Sequence, residues 1–200
     1  INAAFRAEVE NLLFLGSSCI YPRECQQPIK EEYLLSGYLE PTNEPYALAK
    51  IAGIKYCESL NRQYGIDYRC LMPCNLYGRG DNFHAENSHV IPGLITRFHD
   101  AKHLELTEVA VWGDGSAMRE FLHVDDLASA ALFTMSAPRD VIESATTPMC
   151  SHLNVGSGIE VSIAELSAIV KEIVGFEGYI VFDRSKPNGT PRKLLDSSKL

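Results

Sequence analysis

With 200 residues, 46% apolar and 22% charged, the chain has the composition of a soluble globular protein that can bury a sizeable core. Its formal charge of −8 argues against nucleic acid as the main partner. No apolar run reaches the ~20 residues that span a bilayer, and the start does not read as a signal peptide, so no membrane partner is expected.

Ile1 to Glu10 read as the tail of a helix, and Asn11-Leu-Leu-Phe-Leu15 as a buried parallel strand closed by Gly16-Ser17-Ser18. Cys19 to Tyr38 is loop. Thr42 or Asn43 can cap a helix with Pro45 in its first turn, apolar residues at Leu48, Ile51, Ile54 and Cys57 or Leu60, and Gly65 at its end. Tyr68 to Leu71 is the next strand, so a βαβ unit and a parallel α/β sheet are expected. Arg79 to Ser88 is a polar loop and Val90 to His103 a helix. Val109 to Trp112 and Met118 to His123 are strands. A helix from Val124 to about Ser136 has an aspartate, Asp125 or Asp126, available as its cap. Residues 138–151 look like loop, and His152 to Val155 like a strand. Ser162 and Glu165 form a capping box for a helix to about Val174. Tyr179 to Phe182 is the last strand, before a turn-rich stretch from Lys186 to Pro191.

Six cysteines follow no zinc or disulfide spacing, and reduced thiols suit a cytoplasmic protein. His99 and His103 have the spacing of a metal pair, but no third ligand has a motif, so no metal is expected. Gly156-Ser157-Gly158 imitates a dinucleotide fingerprint but lacks the third glycine.

The chemistry centres on Tyr46 and Lys50. Four residues apart on a helix, they share a face. An ammonium beside a phenol favours the phenolate, which makes the pair a possible proton donor and acceptor. Ser17 and Ser18 follow one strand and Asn75 the next, at the carboxyl ends where open parallel sheets bind ligands.

Strand-Gly-Ser-Ser-Cys-x-Tyr-Pro, Tyr-Ala-x-Ala-Lys, Pro-x-Asn-Leu-Tyr-Gly and Arg-Glu-Phe-Leu-His-Val-Asp-Asp resemble, in order, the extended short-chain dehydrogenase/reductases that act on nucleotide sugars. Gly16 to Pro22, Glu40 to Tyr46, Asp81 to His84 with Asn87 to Pro92, and Lys186 to Asp196 resemble the GDP-L-fucose synthase family within that superfamily. The resemblance implies 3,5-epimerisation and 4-reduction of GDP-4-keto-6-deoxy-D-mannose with NADPH as cofactor. It assigns Cys19 and His89 to the epimerising proton transfers, a task suited to groups that can titrate near neutrality. It makes Tyr46 the proton donor to the alkoxide, Lys50 its partner and a ribose ligand, and Ser17 the hydrogen-bond donor to the substrate oxygen.

The NADP site would be lined by Leu15, Gly16, Ser17, Ser18, Tyr46, Lys50, Pro73, Cys74, Asn75, Leu76 and His89. The GDP-sugar would meet Arg97, Trp112, Arg119, Asn188 and Lys193, with Asn188 standing where the family pattern has Asp. Arg119 and Glu120 could equally form a surface ion pair.

The expected fold is α/β, a partial Rossmann-like parallel sheet with a smaller C-terminal α/β substrate-binding lobe. Residues 1–78 would be the C-terminal half of the NAD(P)-binding domain. Residues 79–200 would be mainly the substrate lobe, with about 118–136 returning to the Rossmann core. No glycine fingerprint precedes the Tyr-Lys pair, so the chain reads as N-terminally truncated and weakly active alone, from a parent expected to be a homodimer. The alternatives are another nucleotide-sugar epimerase, dehydratase or reductase, for which Cys19 and His89 are the discriminating residues, and a non-catalytic nucleotide-sugar-binding remnant.

Overall fold

The computed structural model describes residues 1–84, 87–186 and 188–200; positions 85 and 86 of the polar loop and position 187 of the turn-rich stretch lie outside the described residues. In chain order the elements are α1 (Asn2–Arg6), β1 (Asn11–Leu15), α2 (Glu44–Tyr64), β2 (Asp67–Pro73), β3 (Asn75–Tyr77), α3 (Val90–His103), β4 (Glu108–Trp112) and β5 (Met118–His123). There follow α4 (Val124–Ser136), α5 (Arg139–Ala145), β6 (His152–Val155), β7 (Glu160–Ser162), α6 (Ile163–Val174), β8 (Tyr179–Asp183) and β9 (Arg192–Lys193). The chain divides into two units. The first is Ile1–Leu76, Glu120–Ile159 and Lys193–Leu200; the second is Tyr77–Arg119 and Glu160–Arg192.

The first unit is built on a parallel sheet in the order β1-β2-β6, so the α/β fold with a Rossmann-like parallel sheet is present. Leu15 pairs with Leu71, and Pro73 with Val155. All three strands therefore end at one edge. Their apolar runs are covered by α2, which buries Ala47, Ile51, Ile54, Cys57 and Leu60 at helical spacing. Two close approaches require glycine. A Cβ on Gly53 would stand 2.3 Å from the Phe14 ring, and one on Gly16 would stand 2.4 Å from Met72 Sδ. Gly65 ends α2 with φ +70°, as its position predicts.

Three carboxylates are buried in this unit, and each is satisfied. Glu58 pairs with Lys55 at 2.8 Å and accepts from Ser151 N. Glu31 pairs with Lys199 at 3.1 Å and accepts from Asn154 N. Glu120 accepts from Gly158 N at 2.7 Å and Leu195 N at 3.0 Å.

In the second unit β4 and β8 pair in parallel. The α3 and α6 helices pack together, with Phe98 and Phe176 ring centroids 5.7 Å apart. Ser162 and Glu165 form the expected capping box, and Gly175 closes α6 in the left-handed region.

The structure departs from the sequence reading in places. Residues 139–145 are helical, not loop: Pro138 starts the turn and Arg139 pairs with Glu143 at 2.7 Å, one turn on. The α4 cap is His123, whose Nδ1 accepts from Asp125 N, rather than an aspartate side chain. Asn43 occupies the cap position of α2 without a capping bond, and its Nδ2 donates to Cys19 O. The second strand runs on to Pro73.

Candidate active site

The edge where β1 and β2 end is the centre of the first unit. Gly16 N donates to Leu71 O, which carries the pairing one residue past β1. The chain then turns. Ser17 caps a short 3₁₀ turn over Ser18–Ile20, its hydroxyl oxygen accepting from Cys19 N at 3.2 Å. That bond uses an oxygen lone pair and leaves the Ser17 O–H proton free to donate. The α2 helix packs on this turn, and Asn43 Nδ2 donates to Cys19 O at 3.3 Å.

Lys50 Nζ donates to Leu15 O at 2.8 Å. The same ammonium lies 5.2 Å from the Phe14 ring centroid and 5.8 Å from that of Tyr46. The shared helix face of Tyr46 and Lys50 is thus realised, and Lys50 keeps two donors beyond its backbone bond. Tyr46 is 45% exposed and Leu15 39% exposed, so this strand end opens to solvent.

Lys193 returns from the far end of the chain with Nζ 3.4 Å from Cys19 Sγ. Ser17, Cys19, Tyr46, Lys50 and Lys193 are therefore held within one unit. The β2 end supplies Pro73, Cys74, Asn75 and Leu76. Cys74 N donates to Val155 O, and Asn75 Nδ2 to Glu120 O. Burial, and then the nearby Glu120 carboxylate, push the Cys74 thiol up to about 12, so this sulfur stays protonated and serves as packing.

The other residues that the sequence singles out, His89, Arg97, Trp112, Arg119 and Asn188, belong to the second unit. His89 is the N-cap residue of α3, exposed, with its side chain making no capping bond. Trp112, 53% exposed at the end of β4, has the Arg97 guanidinium 5.1 Å and Lys186 Nζ 5.6 Å from its ring. Two cations thus lie within cation–π distance of one exposed indole ring. Arg119 donates to Met118 O and, at 3.4 Å, to Asn188 O.

Asn188 Oδ1 accepts from Asp114 N at 2.8 Å. Hydrogen bonds from Ser116 and then Asn188 hold the Asp114 carboxyl down to about 2. An Asp at position 188 would set a second anion beside Asp114, so Asn suits this turn. Sequence reasoning missed Asn43 and the Lys193–Cys19 contact, since both join positions distant in sequence. It also missed Glu120 as a buried backbone acceptor, because Arg-Glu reads equally as an exposed pair.

The parallel sheet, its helix-borne Tyr-Lys pair and the serine turn at the strand end are those of a Rossmann-like α/β protein. The NAD dependent epimerase/dehydratase family matches residues 1–156, and the chain belongs to that family. Over 200 residues it is 58% identical to a GDP-L-fucose synthase of Escherichia coli K12, covering all of this chain and 62% of that protein. A Campylobacter jejuni GDP-6-OMe-4-keto-L-xylo-heptose reductase superposes with a TM-score of 0.90 at 38% identity, over 99% of this chain and 66% of that one. A Naegleria fowleri GDP-L-fucose synthetase bound to NADP superposes with a TM-score of 0.85 at 28% identity, over 99% of this chain and 61% of that one. The chain thus spans about three fifths of these proteins. No helix among the described residues is long and apolar enough to cross a membrane.

Proposed function

We propose that the protein carrying this chain converts GDP-4-keto-6-deoxy-D-mannose to GDP-L-fucose, by epimerisation at C3 and C5 and NADPH-dependent reduction at C4. The observation that carries this reading is the gathering of Ser17, Cys19, Tyr46, Lys50 and Lys193 at one open strand end, in a chain so similar to GDP-L-fucose synthases. Epimerisation beside a ketone needs a base on one face of the sugar and an acid on the other. Cys19 and His89 are given those two roles. Lys193 places a positive charge at the Cys19 sulfur. During each proton removal, charge develops on the C4 oxygen, and the free Ser17 O–H donates to it. Tyr46 gives its phenolic proton to the C4 alkoxide.

The strand end suits NADP. It opens to solvent, and the donors left on Lys50 can meet a ribose. Leu15–Ser18 and Pro73–Leu76 present backbone at the carboxyl edge. Bound NADPH would supply the hydride for reduction at C4. Arg97, Trp112 and Arg119 are assigned to GDP, guanidinium groups being suited to phosphate. We keep the domain reading in which residues 1–78 bind cofactor and 79–200 mainly bind substrate, with about 118–136 returning to the Rossmann core. We also read the protein as a cytoplasmic homodimer, in keeping with six free cysteines and with Leu48 and Tyr56 exposed on α2.

A second reading, reduction at C4 without epimerisation, is favoured by the likeness to the heptose reductase. The two are separated by incubating the full-length protein with the keto-sugar and NADPH in deuterated water. GDP-L-fucose carrying deuterium at C3 and C5 is the expected product. Cys19→Ser is expected to abolish deuterium uptake while reduction persists, and Tyr46→Phe to lower reduction ~10²–10⁴-fold while uptake persists. A reduced sugar of unchanged C3 and C5 configuration, with no deuterium, would establish the second reading instead.

A further inference from the structure

The α3 helix ends on His99-Asp100-Ala101-Lys102-His103. Phe98 and Ala101 are buried, so the two histidines, one turn apart, point to solvent. Their Nε2 atoms lie 3.1 Å apart, and their ring centroids 4.3 Å apart. Two imidazole nitrogens bound to one ion at ~2.0–2.1 Å, at coordination angles of ~90–110°, are separated by ~2.9–3.4 Å. The observed distance falls in that interval.

A second observation concerns the other nitrogen of His99. Its Nδ1 faces Asp100 Oδ1 at 3.5 Å. A carboxylate there is placed to accept from Nδ1–H, the tautomer that leaves the Nε2 lone pair for a ligand, as carboxylates behind metal-binding histidines do. The pair is also rigidly based, because Leu94, Phe98 and Ala101 anchor the opposite side of the helix.

We propose that His99 and His103 form a two-imidazole site for an exchangeable divalent transition ion such as nickel, copper or zinc. Water fills the remaining positions. Nitrogen donors favour these ions over calcium or magnesium. Without metal, one of the two Nε2 atoms carries a proton and donates to the other. On binding, that proton moves to Nδ1 of the same ring, so neutral rings release none. The described residues hold no group of three or more His, Cys, Asp or Glu placed for a metal, so the site is a two-donor clamp and not a closed structural centre. It plays no part in the chemistry assigned to Tyr46 and Lys50.

The test is equilibrium dialysis of untagged protein against nickel at neutral pH, with cobalt spectra in parallel. One ion per chain is expected. His99→Ala and His103→Ala should each weaken binding at least ~10-fold, and Asp100→Asn about 10-fold. His84→Ala, on a different segment, should leave it unchanged. Circular dichroism establishes that the exposed substitutions leave the helix intact. Undiminished nickel binding by the His99→Ala/His103→Ala double variant, no binding by the natural protein, or a thiolate-to-cobalt charge-transfer band would each overturn the proposal.

Discussion

Acidification from about pH 7.5 to pH 5 should strip about 2 kcal/mol from the fold through one residue, His152. Its ring is 1% exposed in the first unit, and neither nitrogen has a hydrogen-bond partner of ordinary geometry. Burial above all, and then the positive charge of Lys55, push the imidazole from 6.5 down to about 4; the Glu31 backbone opposes this weakly, and Lys199 adds to it. The folded state thus keeps His152 neutral where the unfolded chain would protonate it. Between those two values the unfolded state binds more protons, so stability falls as the pH falls, by up to ~1.4 kcal/mol per pH unit. Carboxylates held low, such as Asp114 and Glu165, lose their contribution only under more acidic conditions. Urea unfolding at a series of pH values, on the natural chain and on His152→Phe, measures the effect. The variant should lose that slope. It should also match or exceed the natural chain at neutral pH, since it buries no unpartnered nitrogen. An unchanged slope would refute the assignment to His152.

Two further substitutions probe the scaffold of the site. Gly53→Ala gains up to ~1 kcal/mol of helix propensity, but its methyl meets the rigid Phe14 ring at 2.3 Å. The overpacking term of ~1–3 kcal/mol should prevail, giving a lower urea midpoint, with Gly53→Ala/Phe14→Leu recovering part of it. Glu120→Gln turns one acceptor into a donor facing Gly158 N or Leu195 N. A loss of ~1–3 kcal/mol should follow at neutral pH, measured by thermal unfolding.

What was legible in the sequence was local. The first strand, the capping box at Ser162 and the αL glycine after Tyr64 each announce themselves within a few residues. The Tyr46–Lys50 face was legible because helical spacing alone creates it. A seven-residue helix such as α5 has too few positions to show a period, and its Arg139–Glu143 pair carries the signal instead. The contact of Lys193 with Cys19 was hidden for another reason. Its partner lies 174 positions away, and no composition or spacing rule spans that separation. Glu120 was hidden because burial reverses the meaning of a charge: the same carboxylate that suggests a wet ion pair serves as a dry acceptor for two backbone amides.

The turn at Ser17–Cys19 is pinned by groups from three stretches of chain: Asn43 on one side, Ser17 itself, and Lys193 from near the last residue. Each pin is a hydrogen bond of modest strength, but each closes a different loop. Moving the Cys19 backbone by an ångström therefore strains the Asn43 and Ser17 bonds at once. The stiffness of the turn comes from crossing sequence distances and not from any single strong bond. For the role proposed for Cys19, the ordering that a mobile turn would undergo on meeting a ligand is thus met once, when the chain folds.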